Sequence, residues 1–537
     1  TQETPGEMFM GYPISVYCIV GNEFCERFSF YGLKALLPLY FRDFLRIENE
    51  DIATALVHTF IFFAYFFSIL GGFLSDSYFG KYRVILWLSV VYCIGSSITS
   101  LTAIPGIMGV PPELWGAAIG LILTALGTGG IKSCVSSFVG DQFVKGQEHL
   151  LDRVFAIFYF AINSGSLCST LITPLLRSNY GYAVAFSVPA ALIILATMIF
   201  VAGSEFYRNV PPGGNVFSLF YGVIKAAFVG RARASASGKY PQRKSFFNYA
   251  IGPYSAKVVN DVARTMKVFT VFVPLPVFWS LYDQHSSRWI YQADRMDRNV
   301  FGWEVKPDQV PVLNPLLILT MIPLFNNVIY PGLERRGIIL KPLEHRMAIG
   351  MGLTALSFIL SGIVEFFIDY YGSGKVYFLW QLPQYVVMGA AEIMVSVTGL
   401  EFAYSQAPKS MKSIVMSGWL MTTAVGNLLV IAIAAMDFVT SDYGLQLFFF
   451  ALLMLIFLLV FLWIIHDFQY KKAFEDDVEE EVEDDEVYLD VYMTSEVEEP
   501  DSFDVFQKPD GASELDAQPQ DGRDSRDRSN SYGSIVI

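Results

Sequence analysis

Long apolar runs alternate with short polar connections along most of the chain. A helix that crosses a bilayer needs about 20 mostly apolar residues, and twelve runs are long enough. We predict spans at residues 12–40, 54–74, 84–102, 114–138, 153–175, 182–203, 264–291, 309–331, 346–369, 376–402, 412–436 and 444–467. The pattern therefore predicts an all-α membrane protein with twelve transmembrane helices.

A basic, partly amphipathic segment separates the first six spans from the last six. Its bases are Lys225, Arg231, Arg233, Lys239, Arg243 and Lys244. We predict five parts, namely a lead at 1–11, a six-helix bundle at 12–203, a linker at 204–263, a second six-helix bundle at 264–468 and an acidic, disordered tail at 469–537. Because cytoplasmic loops are rich in Lys and Arg, the linker indicates that both termini are cytoplasmic, although Arg42, Arg295 and Arg298 would then lie outside.

The composition excludes a soluble enzyme of this size, because 53% of the 537 residues are hydrophobic and only 16% are charged. The net charge of −14 comes mainly from the acidic run at 475–486, which we interpret as a solvated tail. The last residues, 535–537, are compatible with a weak contact to a scaffold domain. The five cysteines lie singly in apolar runs, without metal-ligand spacing. We predict no metal, no other cofactor and no nucleic-acid partner.

The first span carries polar side chains along one helical stripe. They are Glu23, Glu26, Arg27, Tyr31 and Lys34. Ionisable groups at bilayer depth are costly unless they pair or face water, so they usually belong to a substrate or ion pathway. The stripe therefore predicts a binding site. The alternative is that Glu23 and Arg27, four residues apart, only neutralise each other.

Later spans contain further polar groups and helix breakers. In the fourth span, a run of glycines favours close helix packing and is followed by Lys132 at membrane depth. Tyr159 and Asn163, four residues apart, share one face of the fifth span. Pro274 and Pro276 interrupt the seventh span, as is typical of a helix that bends or lines a cavity.

Five motifs occur in a fixed order along these spans. They are Glu23-Phe-Cys-Glu-Arg-Phe with Tyr31-Gly, the loop at Asp76, Gly127-Thr-Gly-Gly-Ile-Lys with Gly140-Asp-Gln-Phe, Phe158-Tyr-x-x-Ile-Asn-x-Gly-Ser, and Pro274-Leu-Pro-Val-Phe-Trp. Together they resemble the proton-coupled oligopeptide transporter family, in its animal branch, from about Gly11 to Asp467. The resemblance implies a major facilitator fold of two six-helix bundles. It also implies proton-driven uptake of di- and tripeptides, and of peptide-like drugs, across the plasma membrane, without enzymatic catalysis.

The family's functional residues carry over to the positions that match its motifs. For proton coupling they are Glu23, Glu26, Arg27, Lys132 and, on the outer side, His58. For substrate binding they are Tyr31, Lys34, Tyr159, Asn163, Trp279, Asn314, Glu392 and Trp419. For structural or gating roles they are Asp76, Gly80, Lys267, Asp283 and Arg288.

The sequence also departs from the family. Asn326 stands where many animal members have an aspartate that pairs with the position of Lys267, so that charge pair cannot form here. Lys34 is arginine in many relatives, and the exchange gives up bidentate geometry. Only residues 369–375 stand where animal members often carry a large extracellular domain.

The same residues fit a peptide without reference to the family. A dipeptide carries an ammonium at one end, a carboxylate at the other and an amide between them. Glu392 suits the ammonium, Lys34 or Arg27 the carboxylate, and Asn163 and Asn314 the amide. Because main-chain groups are common to all peptides, such a site predicts broad side-chain tolerance with a sharp length limit.

Other functions stay open from sequence. A transporter of another small solute, such as histidine, would use the same fold, and so would a non-transporting receptor. Glu392 argues against an anionic substrate. An intramembrane enzyme would need a nucleophile with a base, or a metal cluster, and we find neither pattern. A channel would lack a charged stripe that faces a second acid across a cavity.

Overall fold

The helices begin and end close to the limits of the apolar runs. The computed structural model describes residues 8–9, 12–109, 112–143, 147–212, 214, 216–237, 245–337, 340, 343–408, 410–436 and 442–472. Most of the predicted lead, the bases Lys239, Arg243 and Lys244, the acidic tail and the scaffold contact at 535–537 lie outside the described residues. Residues up to Phe468 form one compact unit, and only 469–472 of the second unit are described.

Six long helices form the first half of the chain. They are α1 (Ile14–Leu39), α2 (Glu50–Leu74), α3 (Lys81–Thr102), α4 (Leu114–Asp141), α5 (Glu148–Tyr180) and α6 (Tyr182–Ala202). A hairpin of β1 (Met8–Phe9) and β2 (Tyr12–Pro13) precedes α1, and π-helical turns extend α1 (Tyr40–Phe44) and α2 (Ser75–Phe79). Gly80 has a φ of +77°, a conformation that favours glycine, so α3 can follow α2 directly.

One amphipathic helix, α7 (Val216–Ser237), lies between the halves. The 3-10 turns Gly203–Phe206 and Phe247–Ala250 flank it. Val223 and Ala227 on its buried face pack with Val259 and Val262 of α8 (Ala256–Phe272). The linker is therefore attached to the second half through an apolar contact.

The second half contains both long and short helices, and several of its helices are broken. They are α9 (Leu275–Tyr282), α10 (Arg288–Asp294), α11 (Leu313–Leu324), α12 (Tyr330–Arg335), α13 (Leu343–Tyr371), α14 (Leu382–Glu392), α15 (Thr398–Gln406), α16 (Lys412–Ala434) and α17 (Tyr443–Lys472). Between them lie 3-10 turns (Asp283–Ser286, Pro307–Val312, Phe378–Gln381), π-helical turns (Phe325–Ile329, Ile393–Val397) and a hairpin of β3 (Asn299–Val300) and β4 (Trp303–Glu304).

The count of membrane-spanning elements agrees with the prediction of twelve. Within the described residues, ten helices are long and apolar enough to cross a membrane, and α8 with α9 and α10 makes an eleventh that bends by 45°. The bend falls at Pro274 and Pro276, because a proline cannot donate a backbone hydrogen bond to the helix. The twelfth is α1, whose 26 residues are long enough but include the charged stripe.

Glycines bring α2 and α4 into backbone contact. A Cβ on Gly71 would lie only 2.1 Å from the carbonyl oxygen of Gly130, and a Cβ on Gly129 would lie 2.5 Å from that of Ala64. Both distances are far below a van der Waals contact. The glycines before Lys132 therefore have the packing role that the sequence predicted.

We expect Gly71→Ala to lower the melting temperature of the purified protein in detergent. The added methyl group collides with rigid backbone, and overpacking of this kind typically costs about 1–3 kcal/mol. The matched control is Gly21→Ala on α1, where a Cβ would meet nothing within 4 Å. That variant should melt no lower than the parent, because alanine favours helix. Equal melting temperatures for the two variants would contradict the contact.

Candidate functional site

Helices of both halves surround a cavity of about 690 Å³. Every residue predicted to bind substrate lines it, namely Tyr31, Lys34, Tyr159, Asn163, Trp279, Asn314, Glu392 and Trp419. Of the other predicted residues, Glu23, Arg27, Asp76, Lys132 and Asp283 also line it, whereas Glu26, His58, Gly80, Lys267 and Arg288 do not. The fold thus assembles side chains that are up to nearly 400 positions apart in the sequence.

Glu23, Glu26 and Arg27 form one buried cluster on α1. The Arg27 Nε atom lies 2.6 Å from Oε1 of Glu23 and 3.2 Å from Oε2 of Glu26. Thr128 of α4 donates a hydrogen bond of 2.6 Å to Oε1 of Glu26. Glu23 and Arg27 therefore neutralise each other, which is the alternative considered from their spacing. Both residues also line the wall of the cavity.

Lys132 lies beside this cluster without an ion pair to it. Its Nζ is 4.4 Å from the ring centre of Phe30 and 4.0 Å from that of Tyr65. Among the described residues, no carboxylate lies within 4.0 Å of that nitrogen. The predicted partnership between Lys132 and the acids is therefore not formed here, and two aromatic faces hold the ammonium at the cavity instead.

Glu392 forms the acidic part of the wall in the second half. Tyr282 donates a hydrogen bond of 2.8 Å from its hydroxyl to Oε1 of Glu392, and Asn314 donates one of 2.9 Å to that hydroxyl oxygen. The other carboxylate oxygen, Oε2, has no partner among the described residues. An oxygen that is buried and unpaired in this way is a ready acceptor for a cationic ligand group.

Aromatic side chains form an apolar wall next to this acid. The ring centres of Trp279 and Trp419 are 6.1 Å apart at an angle of 81°, an edge-to-face arrangement that aromatic pairs favour. Trp279 donates its indole hydrogen to Oγ1 of Thr422 at 2.9 Å, which fixes the ring. Asn163 donates to the carbonyl oxygen of Tyr159 at 2.9 Å.

A hydrogen-bonded chain connects the two halves at the closed end of the cavity. Lys34 lies 2.9 Å from Oδ1 of Asp283, and Asn427 donates to Oδ2 of Asp283 at 2.8 Å. His58 in turn contacts Oδ1 of Asn427 through Nδ1 at 2.6 Å and Ser287 through Nε2 at 2.9 Å. Lys34 is therefore bound to an acid of the other half and is not a free base in this conformation.

Ion pairs between the halves continue beyond this chain, at the end of the bundle where α1 ends, which we call the far end. They are Arg42–Asp294, Asp51–Arg288 and Arg177–Asp308. Arg177 binds both oxygens of Asp308, at 2.7 and 2.9 Å, and Asp308 is fully buried. The far end of the cavity is therefore closed.

At the opposite end, which we call the linker end, the cavity reaches the termini of the helices. Its lining there includes Asp76, Lys81, Gly140 and Lys412. Asp76 accepts a hydrogen bond of 2.7 Å from Ser413 of α16, which joins the end of α2 to α16. Lys267 is exposed on α8 and does not reach the cavity.

The sequence did not single out several cavity residues that the structure places beside the predicted ones. Tyr282 and His285 lie on and just after α9, and Tyr65 lies on α2. Tyr282 follows Trp279 by three residues and so shares its helical face, which is a signal that could have identified it. The contacts of Tyr65 and His285 depend on tertiary structure and have no such signal.

Comparison with known proteins identifies the family. The model of the POT family matches residues 82–443, which is well over half of the chain. The chain belongs to the POT family. Peptide transporter family 1 of Drosophila melanogaster is 33% identical, with 90% of this chain and 91% of that protein aligned. Human solute carrier family 15 member 1 is 41% identical over 67% of this chain but 53% of its own length, so the alignment spans about half of that relative.

Solved structures of POT-family transporters share the fold. A crystal structure of the POT-family transporter PepTSo has a TM-score of 0.76 and 33% identity, and covers 86% of this chain and 99% of its own. An auto-inhibited POT-family peptide transporter has a TM-score of 0.72 and 30% identity, with 84% and 97% covered. The prediction of a major facilitator fold with twelve transmembrane helices is confirmed.

We expect Arg177→Met to shift this POT-family protein toward a state that is open at the far end. The substitution leaves Asp308 as a buried unpaired charge, which typically costs about 3–5 kcal/mol. Double electron–electron resonance between spin labels at Glu48 and Asn299, both exposed at the far end, should then show longer distances. Adding Asp308→Leu should restore the shorter distances. A double variant as open as the single one would contradict this role of the ion pair.

Proposed function

We propose that this POT-family chain is a symporter that carries di- and tripeptides across a membrane together with protons, by alternating access. One observation carries the proposal: a single cavity holds the acid Glu392 from one half of the chain and the bases Arg27 and Lys34 from the other. Similarity to proteins named as peptide transporters supports it.

The arrangement fits a small zwitterion. The unpaired oxygen of Glu392 accepts the peptide ammonium. A base of α1 takes the peptide carboxylate in exchange for the acid that it binds in this conformation. Asn163 and Asn314 can donate and accept hydrogen bonds to the central amide. Trp279 and Trp419 provide apolar surface for side chains of many shapes. Peptide-like drugs with the same terminal charges would bind in the same way.

The cluster on α1 provides a site for the coupled proton. A carboxylate binds or releases a proton according to the charges beside it, and Glu23 and Glu26 share the single cation Arg27. Lys132 lies nearby and has no carboxylate partner in the described part of the chain, so a movement that brings it to the acids would favour proton release. His58 belongs to the hydrogen-bonded chain that connects the two halves, so its contact with Asn427 would change when the far end opens.

The closed far end and the accessible linker end of the cavity indicate which state of the transport cycle the structure represents. We propose that residues 12–203 and 264–468 are the two moving units, connected by the linker at 204–263. By the positive-inside rule, the bases of the described linker and of the loops around Lys81 and Arg335 support a cytoplasmic linker end. With this orientation, the conformation would be the inward-facing state of a plasma-membrane transporter.

Competition experiments should show a sharp length limit. Peptides of two or three residues should inhibit uptake of a labelled dipeptide, because one acid and one base at fixed positions match only a short span between peptide termini. Single amino acids, free histidine included, and peptides of four or five residues should inhibit at least tenfold more weakly. Inhibition by pentapeptides or by histidine as strong as that by dipeptides would count against the proposal.

We expect Glu26→Gln to lose uphill transport into vesicles with an inward proton gradient. One proton that enters down 100 mV supplies about 2.3 kcal/mol, and one pH unit adds about 1.4 kcal/mol, enough for accumulation above a hundredfold. The variant cannot ionise at this position, so labelled dipeptide should equilibrate near onefold. Thr128→Val, which removes only the hydrogen bond to Glu26, is the matched comparison and should still accumulate peptide. Accumulation by Glu26→Gln as high as the parent's would refute this role.

A further inference from the structure

His285 lies on the cavity wall in a fixed orientation that the site described above does not use. Its Nδ1 atom is 2.5 Å from the main-chain carbonyl oxygen of Tyr282. A carbonyl oxygen can only accept, so Nδ1 must carry the hydrogen. In the neutral ring, Nε2 is then a hydrogen-bond acceptor. The ring also lies against Tyr282, with 4.8 Å between ring centres, which limits its rotation.

The acceptor atom of this ring has no protein partner in the described part of the chain. No hydrogen bond of His285 other than the one to Tyr282 occurs there. The ring is 9% exposed, and the cavity is the space it faces. The charged neighbours on the same wall, Lys34 and Asp283, are occupied by each other. His285 therefore offers one oriented acceptor, without a partner among the described residues, beside the groups proposed for the peptide main chain.

We propose that His285 determines side-chain specificity by accepting, at Nε2, a hydrogen bond from a donor-bearing side chain of the bound peptide. This inference rests on the proposed peptide transport. The ammonium, amide and carboxylate of a peptide already have partners in Glu392, the two asparagines and the bases of α1. A hydroxyl or amino group on a peptide side chain is the remaining donor that a dipeptide brings into the cavity.

A purely structural role for His285 makes a different prediction. In that case the hydrogen bond from Nδ1 to the carbonyl oxygen of Tyr282 stabilises the break between α9 and α10, and Nε2 accepts no hydrogen bond from the peptide. Asparagine and glutamine separate the two roles, because the amide of asparagine occupies the position of Nδ1 and the amide of glutamine that of Nε2. His285→Asn keeps the structural bond, whereas His285→Gln keeps the acceptor in the cavity.

The experiment measures inhibition constants of Val-Ala, Thr-Ala, Ala-Val and Ala-Thr against uptake of labelled Ala-Ala. Valine and threonine have nearly the same shape and differ by one hydroxyl group. The ratio of interest is the inhibition constant of the valine peptide divided by that of the matching threonine peptide. At one of the two peptide positions, His285→Asn should lower this ratio by about three- to tenfold, as expected for loss of one hydrogen bond. His285→Gln should keep the ratio of the parent.

The ratio does not depend on how much protein reaches the membrane, so poor expression does not obscure it. The matched control is His345→Asn, a histidine exposed on α13, which should leave the ratio unchanged. The proposal is overturned if the ratio in His285→Asn stays within twofold of the parent at both positions, or if His285→Gln loses it equally. Failure of the parent to take up Ala-Ala would instead reject peptide transport itself.

Discussion

Charges buried in an apolar bundle need a partner or access to water, and the buried charges of α1 and of the contacts between the two halves meet this requirement. The acids of α1 share Arg27, Lys34 binds Asp283, and Arg177 binds Asp308. Glu23, Arg27, Lys34 and Asp283 line the cavity, and Arg177 and Asp308 join the two halves. The cavity is thus one place where the chain can hold charge at membrane depth.

The ion pairs fall into two classes with different consequences. Glu23 and Arg27 belong to one helix, so their contact persists whichever way the halves move. Lys34 and Asp283 belong to different halves, and so do Arg177 and Asp308. Separation of the halves at the far end breaks the second class and exposes its charges. The cost is offset because the same movement admits water, which solvates the separated ions.

Much of the fold was predictable because it depends on local properties. Span positions follow from apolar length, the bend in the seventh span follows from Pro274 and Pro276, and the stripe on α1 follows from helical spacing. The wall residues followed from polar or aromatic side chains within spans, and from the family resemblance. The sequence could not predict ion pairs between residues that are distant in the chain. Lys34 looked like a free base because its partner, Asp283, is 249 positions away.

The hydrogen-bonded chain from Lys34 to His58 shows how one ion pair sets the orientation of side chains that it does not contact directly. Asp283 carries a charge that Lys34 balances, so it only accepts hydrogen bonds, and Asn427 must turn its amino group toward it. The amide oxygen of Asn427 then faces His58, and the ring must place its hydrogen on Nδ1. Each assignment follows from the one before. Asn427 also donates to the carbonyl oxygen of Thr423 at 2.9 Å, so its amide keeps this orientation even when Lys34 leaves Asp283. The tautomer of His58 is therefore determined by two side chains of the other half, Asn427 and Asp283.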